Sequence, residues 1–206
     1  MIEIELDEVL GFDHAIRGMR NPKNSWDRSD SLWTEDDNYI VGKKDYELML
    51  TLAAAGPVHA KYRRMIVVYA DITAPLYWWK EFDTYKVGTV ANSCSTMHKI
   101  ADKEFEEGDF SIEHLNRHNR VIFTSVIYAL NDARDKYLES KDKKDWWQMI
   151  QLLPSSYNQK RTVMLNYEVL HNMYISRKNH KLDEWHDFCD WIEKLLPYSD
   201  LILTGE

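Results

Sequence analysis

The run Met65–Ile72 (MIVVYADI) constrains the fold of this chain more than any other stretch. Its β-branched and aromatic residues favour a pleated strand, and its near-continuous apolarity fits a central strand covered on both faces. A second strand is legible at the amino terminus, where Ile2, Ile4 and Leu6 alternate with acids, a pattern with one buried face. At 206 residues the chain fits a single domain, 1–206, able to bury roughly two thirds of its unfolded surface.

The remaining periodic segments read as helices. Asp13 is placed to cap HAIRGMR, which sets Arg17 and Arg20 three apart on one helical face. They would either hold an anion or form salt bridges on a solvated face. Asn21–Asn38 is polar, is punctuated by Pro22 and carries Trp26 and Trp33 as isolated anchors, so it reads as a long ordered loop. Lys44–Ala55 has helical spacing and stops at Gly56-Pro57. HKIADKEFEEGD reads as a charged helix ending near Gly108. The longest helix follows, capped by Asp109 or Ser111, with Ile112, Leu115, Ile122, Val126, Leu130, Ala133 and Tyr137 as its buried stripe. DWWQMIQLL, stopped by Pro154, and the segments Lys160–Arg177 and Leu182–Leu196 complete the series.

Composition excludes several classes. A net charge of −8 argues against a general nucleic-acid surface, which needs clustered Lys and Arg, but leaves a single small nucleotide compatible. Eight Trp and twelve Tyr suit subunit interfaces and stacking sites for flat ligands. Cys94 and Cys189 stand in no Cys-x-x-Cys spacing, so reduced thiols and a cytoplasmic location are expected. No basic start with an apolar core marks a signal peptide, and no run approaches a membrane span.

Chemistry is expected in Ile72–Met97 (ITAPLYWWKEFDTYKVGTVANSCSTM). Gly88 and Ala91 allow close backbone approach, and Thr84, Thr89, Asn92, Ser93 and Ser95 offer hydrogen-bond groups. Composition alone makes this a loop entering a helix, with Asn92 or Ser93 as its N-cap. His114 and His118, four apart, have the spacing of a helical metal pair, but Leu115 stands where a zincin needs Glu and Arg117 and Arg120 would repel a cation, so no metal is expected. In NYEVLHNMYISR, Asn166 and Arg177 return to nearly one helical face about 16 Å apart, and Asn172 points elsewhere. The three would serve different ends of a long ligand, sites shared between subunits, or a polar helix surface.

With these two stretches quoted, the chain resembles the flavin-dependent thymidylate synthases, whose signature runs R-H-R-x-x-S-x-N-E-x-S-x-R. Against it stands Thr84–Met97, with one residue inserted near Ala91. Lys86 stands for the second arginine and Thr89 for the first serine, while Asn92 and Ser95 match. Thr84, Tyr85, Ser93 and Met97 replace the first arginine, the histidine, the glutamate and the closing arginine. AIRGMR is similar to the family's early A-x-R-x-x-R, an apolar strand leads to Ala74-Pro75, and N-x5-N-x4-R from Asn166 to Arg177 keeps the family spacing without a gap.

The resemblance implies an α+β fold, a small central sheet packed by several long helices, in a homotetramer with active sites between subunits. It implies FAD, with deoxyuridine monophosphate (dUMP) as substrate, methylene-tetrahydrofolate as carbon donor and NADPH as reductant. Arg177 would hold the pyrimidine edge and act catalytically; Asn92, Ser93 and Ser95 would contact the nucleotide, and Lys86, Thr89, Asn166 and Asn172 the flavin or its phosphates. The implied function is transfer of a one-carbon group to C5 of a pyrimidine deoxynucleotide. The alternatives are a nucleotide-binding protein of the same fold with altered or lost catalysis, and a helical interaction protein.

Overall fold

The computed structural model describes residues 2–205. Six strands and eight helices follow one another as β1 (Glu3–Leu10), α1 (Phe12–Arg20), β2 (Leu32–Trp33), β3 (Tyr39–Ile40), α2 (Lys43–Ala54), β4 (Val67–Pro75), α3 (Leu76–Phe82), β5 (Val90–Ser93), α4 (Arg117–Ser140), α5 (Lys143–Leu152), β6 (Asn158–Asn166), α6 (Tyr167–Arg177), α7 (Asp183–Leu195) and α8 (Asp200–Leu203). Four strands form one sheet in the order β1-β4-β6-β5, and β2 and β3 form a separate antiparallel hairpin. The architecture is α+β, as expected. The chain divides into two compact units: one holds Ile72–Thr84, Asn92–Arg161 and the residues up to Glu3, the other Ile4–Asp71, Tyr85–Ala91 and the chain from Thr162 onward.

β4 is an interior strand, as its composition demands, with every second residue from Val68 to Ala74 fully buried. β1 lies at the sheet edge, and there the expectation of one buried face fails at Leu6, which is 37% exposed. Edge strands have a partner on one side only, so alternation weakens as a burial signal.

In the first unit, α3 starts directly after Pro75 and buries Trp78, Trp79 and Phe82. The three rings pack edge-on or tilted at centroid separations of 4.9–5.2 Å. Trp79 Nε1 donates to the carbonyl of Gln159 at 2.9 Å, and the Arg161 guanidinium covers its ring at 4.2 Å. These tryptophans, and Trp185 in the second unit, are core residues rather than interface or stacking surface.

The charged segment His98–Asp109 is not an α-helix and holds a single 3-10 turn, Glu107–Asp109. α4 supplies the reason: the Asn131 side chain accepts from the Phe105 N–H at 2.8 Å and donates to its carbonyl at 3.0 Å, while Arg134 Nε donates to the Ala101 carbonyl at 3.0 Å. Held by these bonds, the segment turns Ile100, Phe105 and Phe110 into a core with Leu130, Ala133 and Met149. α4 begins at Asn116, whose side chain accepts from the Asn119 N–H, rather than at Asp109 or Ser111. Ile112 and Leu115 therefore precede the helix. Ile122 is 52% exposed, and Phe123 and Ile127 take its place against the core.

The second unit is organised by a buried charge pair. Arg20, at the end of α1, donates Nε to Asp45 Oδ1 at 2.6 Å and its other nitrogens to the carbonyls of Ser25 and Arg28. Asp45 Oδ2 accepts from the hydroxyls of Ser29 and Ser31 and from the N–H groups of Asp30 and Ser31. This pair orders the loop after α1. Trp26 and Trp33, expected as its anchors, are 49% and 57% exposed. Arg17 is exposed, so the two arginines do not act together. Gly11, at a left-handed φ of 92°, rather than Asp13, precedes the first turn of α1.

Burial pushes the Asp45 carboxyl up, but the hydrogen bonds from Ser29, Ser31 and Arg20, with the Arg20 charge, outweigh it and leave the group below its ordinary value. Its stabilising contribution is therefore complete above the ordinary carboxylate range and is lost as pH falls through that range toward the lower folded value. Asp45→Ala strands a buried guanidinium and is expected to cost about 3–5 kcal/mol in urea unfolding at neutral pH. The gap between wild type and variant should narrow on acidification; a gap that is constant down to the acid transition contradicts this role.

Candidate functional site

Lys160–Arg177, expected as one helix, is two elements. The alternation of β6 runs to Asn166, and the Tyr167 N–H closes the strand on the Ile66 carbonyl at 3.0 Å. Asn166 then caps α6, its Oδ1 accepting from the Val169 N–H at 2.9 Å. The cap consumes the acceptor half of the amide and directs the donor half at the signature stretch. Gly88 stands there at φ +80°, and a β-carbon on it would lie 2.5 Å from Asn166 Nδ2. Only glycine satisfies both the left-handed backbone and this close approach.

α6 ends at Arg177, beside the same stretch. Arg177 Nε donates to the Tyr85 hydroxyl at 2.9 Å. Its guanidinium lies 4.8 Å from the centre of the Trp185 ring and 5.5 Å from that of Tyr85, and the two rings meet edge-on. The carbonyl of Tyr85 accepts from the Thr89 hydroxyl, so Tyr85 is fixed at both ends. A planar cation between aromatic faces keeps its orientation at little further entropic cost.

Within the second unit, then, the residues Tyr85–Thr89 meet Asn166 and Arg177. Lys86 is exposed, and Thr89 is half-buried with its hydroxyl donated within the chain. Asn172 is not brought to this cluster: it is exposed, while its neighbours His171 and Met173 face the core. In the first unit, Asn92 and Ser93 lie exposed on β5 and are not a helix cap. Cys94 pairs through its N–H with the Lys160 carbonyl and through its carbonyl with the Gln159 amide. Ser95 closes a turn, its Oγ accepting from the N–H groups of Met97 and His98 at 3.2 and 3.0 Å.

His114 precedes α4 and His118 lies in its first turn, so the two do not share a helical face. Among the described residues no group of three His, Cys, Asp or Glu is arranged to hold a metal ion. Both cysteines are free; burial, followed by the Glu193 and Asp190 carboxylates, pushes the Cys189 thiol up to about 12. No helix among the described residues is long and apolar enough to cross a membrane.

Sequence reasoning missed Tyr85 and Trp185 as partners of Arg177. Tyr85 registered only as a departure from a signature. Trp185 lies beyond α6 on another helix, and no local spacing connects the two.

No protein-family model matches this chain, and no curated protein matches it. Solved structures do. Thymidylate synthase X (ThyX) from Helicobacter pylori, crystallised with FAD and dUMP, is similar over 99% of this chain and 97% of its own, with a TM-score of 0.72 at 18% identity. A second structure of this flavin-dependent enzyme, also with FAD and dUMP, gives 0.71 at 19% identity over 98% and 97%. PolB from Streptomyces cacaoi, a UMP/dUMP methylase bound with 5-bromo-dUMP, gives 0.65 at 14% over 100% and 96%. The chain has the fold of these proteins, each of them solved with dUMP or its 5-bromo derivative bound.

Gly88→Ala would impose a left-handed φ on alanine and push Asn166 from its cap, and is expected to lower stability by about 2 kcal/mol. Gly108→Ala is the control, since its β-carbon meets nothing within 4 Å. Urea unfolding of both variants checks this, and equal midpoints would contradict the Gly88–Asn166 contact.

Proposed function

We propose that the protein is a flavin-dependent enzyme that transfers a one-carbon group to C5 of a pyrimidine deoxynucleotide, dUMP or a close relative. The observation that carries this reading is the meeting of the two stretches the sequence marked out: Arg177 on Tyr85, and Asn166 on Gly88. The likeness to solved dUMP-acting enzymes along the whole chain supports it.

In this reading Arg177 receives the pyrimidine carbonyl edge. Its guanidinium, oriented by Tyr85 and Trp185, stabilises the negative charge that develops on the ring as C5 becomes nucleophilic. A preoriented cation does this without reorganising at the moment of reaction. Ser95 retains a hydroxyl proton to donate to the nucleotide, since its Oγ is already an acceptor for two N–H groups. Asn92 and Ser93 present exposed polar side chains beside it on β5.

The donor set fits FAD in part. Lys86 and Asn172 are exposed, one a cation suited to phosphate and the other an amide suited to a flavin edge. Asn166 keeps its donor half, whereas the Thr89 hydroxyl serves Tyr85. When bound, the flavin would supply hydride transfer, which no side chain provides. Methylene-tetrahydrofolate as donor, NADPH as reductant and a homotetramer with shared sites belong to the same proposal.

A second reading is nucleotide binding without turnover. It is favoured by Ser93 and the exposed Met97, which stand where the resembled signature carries a glutamate and an arginine. Release of tritium from C5-labelled dUMP, with folate and reductant present, would exclude it.

Purified protein is expected to bind FAD, and its flavin absorbance to change on adding dUMP; a protein that cannot be reconstituted with FAD refutes the flavin reading. Arg177→Ala should weaken dUMP binding roughly ten- to a hundredfold, the loss of a charge-assisted contact. Its melting temperature should move by no more than about 4 °C. Unchanged dUMP affinity removes Arg177 from the assigned role.

A further inference from the structure

α6 carries both ends of the candidate site, Asn166 at its cap and Arg177 in its last turn, so the rotation of the helix about its own axis aims both. Burial does not set that rotation. Tyr167 to His171 are buried without interruption, and five consecutive residues point in every direction round a helix. An amphipathic helix finds its orientation by turning its apolar stripe inward. A helix buried all round its first turns receives no such instruction.

Two directional bonds supply it. The Tyr167 hydroxyl donates to the Pro197 carbonyl, and His171 Nδ1 faces the Ile202 carbonyl at 2.6 Å, where it has to be the donor. The two residues stand at i and i+4, one above the other on the helix, so their bonds fix a line along α6 and with it the rotation.

The segment that receives these bonds is itself held. Pro197 precedes Tyr198, whose φ of 53° is a left-handed conformation that a tyrosine keeps only under constraint. The Tyr198 ring packs on Phe12 and Tyr46 at 5.2 and 5.6 Å, and the Tyr46 hydroxyl donates to Asp200 at 2.9 Å. Phe12 also meets the Tyr167 ring edge-on at 5.7 Å. Farther along, the buried Arg63 donates to the Thr204 carbonyl. The carbonyls of Pro197 and Ile202 are therefore fixed points against which a helix can be registered.

We propose that Tyr167 and His171 are positioning residues of the candidate site: by bonding to the carbonyls of Pro197 and Ile202 they set the rotation of α6 that brings Arg177 to Tyr85 and Asn166 to Gly88. Neither side chain has to touch a ligand. Side chains reach about 5–6 Å from a helix axis, so a rotation of about 20° moves them by about 2 Å. A misplacement of about 1 Å is enough to cost about a hundredfold where geometry matters. The effect on a nucleotide rests on the role proposed for Arg177, whereas the effect on the bond between Arg177 and Tyr85 does not.

The test compares the full wild-type chain with Tyr167→Phe, His171→Leu and His171→Asn. Asparagine places an amide N–H close to the position of Nδ1 and serves as the rescue. The first readout needs no ligand: the nuclear magnetic resonance signal of the Arg177 Nε–H, identified by its loss in Arg177→Ala. It should shift or broaden in Tyr167→Phe and His171→Leu and return in His171→Asn. The second is calorimetric titration with dUMP after incubation with FAD, each protein held at the same interval below its own melting temperature so that lost stability alone does not count. Tyr167→Phe and His171→Leu should each weaken dUMP about tenfold, and His171→Asn should stay within about threefold of wild type. An unmoved Arg177 signal, equal dUMP affinity across the series, or a His171→Asn variant that behaves like His171→Leu overturns the proposal and leaves the two bonds as supports of stability only. Wild-type protein that binds no dUMP, while the Arg177 signal responds as expected, overturns the nucleotide reading and not the positioning role.

Discussion

Asn166 stands where an interior strand becomes a helix, and the candidate site depends on that change of period. Up to the Tyr167 N–H, which the Ile66 carbonyl takes, the backbone is satisfied by neighbouring segments; beyond the first turn it is satisfied within the helix. The crossing leaves N–H groups at the helix start without intrahelical partners, and the Asn166 side chain takes one of them. Because the cap fixes the amide, its other half has a defined direction, and Gly88 can lie against it. Because the helix starts at Tyr167, its last residue, Arg177, comes to Tyr85. A helix running through from Lys160 would have no such corner.

The buried Arg20–Asp45 pair plays a comparable part elsewhere in the second unit. Such a pair is costly to desolvate, and it survives because Asp45 Oδ2 and both Arg20 Nη atoms find further partners in the Ser25–Ser31 backbone and hydroxyls. The polar loop that looked held by tryptophans is held by this carboxylate.

Elements whose own pattern decided them were legible in the sequence: β4 by continuous apolarity, α2 by its Gly-Pro stop, α5 by Pro154, α7 by its period. What failed was decided elsewhere in the chain. His98–Asp109 carries helical charge patterning, yet Asn131 and Arg134 reach it from α4 and take its backbone groups. β6 reads as helix because Lys160, Arg161 and Thr162 lie ahead of an apolar run that continues into α6, and the boundary is a side-chain cap that a single spacing argument does not reveal. The resemblance singled out Asn166 and Arg177 together, but the pairing of Arg177 with Tyr85 spans 92 residues. Asn172 shared the spacing without joining the cluster, since helical position alone does not say what faces it.

The replacement of a signature histidine by Tyr85 has two opposed physical effects on Arg177. A free arginine side chain must give up rotamer freedom to hold a ligand, a cost of about 0.5–1.5 kcal/mol. The Tyr85 hydroxyl and the Trp185 face meet much of that cost in advance, so the guanidinium is already oriented. The same bond commits Nε, and the tyrosine ring occupies space beside the guanidinium. A stiff cation with a narrowed approach tolerates fewer ligand shapes than a mobile one. Under the proposed function, this substitution would therefore act on which base is accepted before it acts on whether the charge is present.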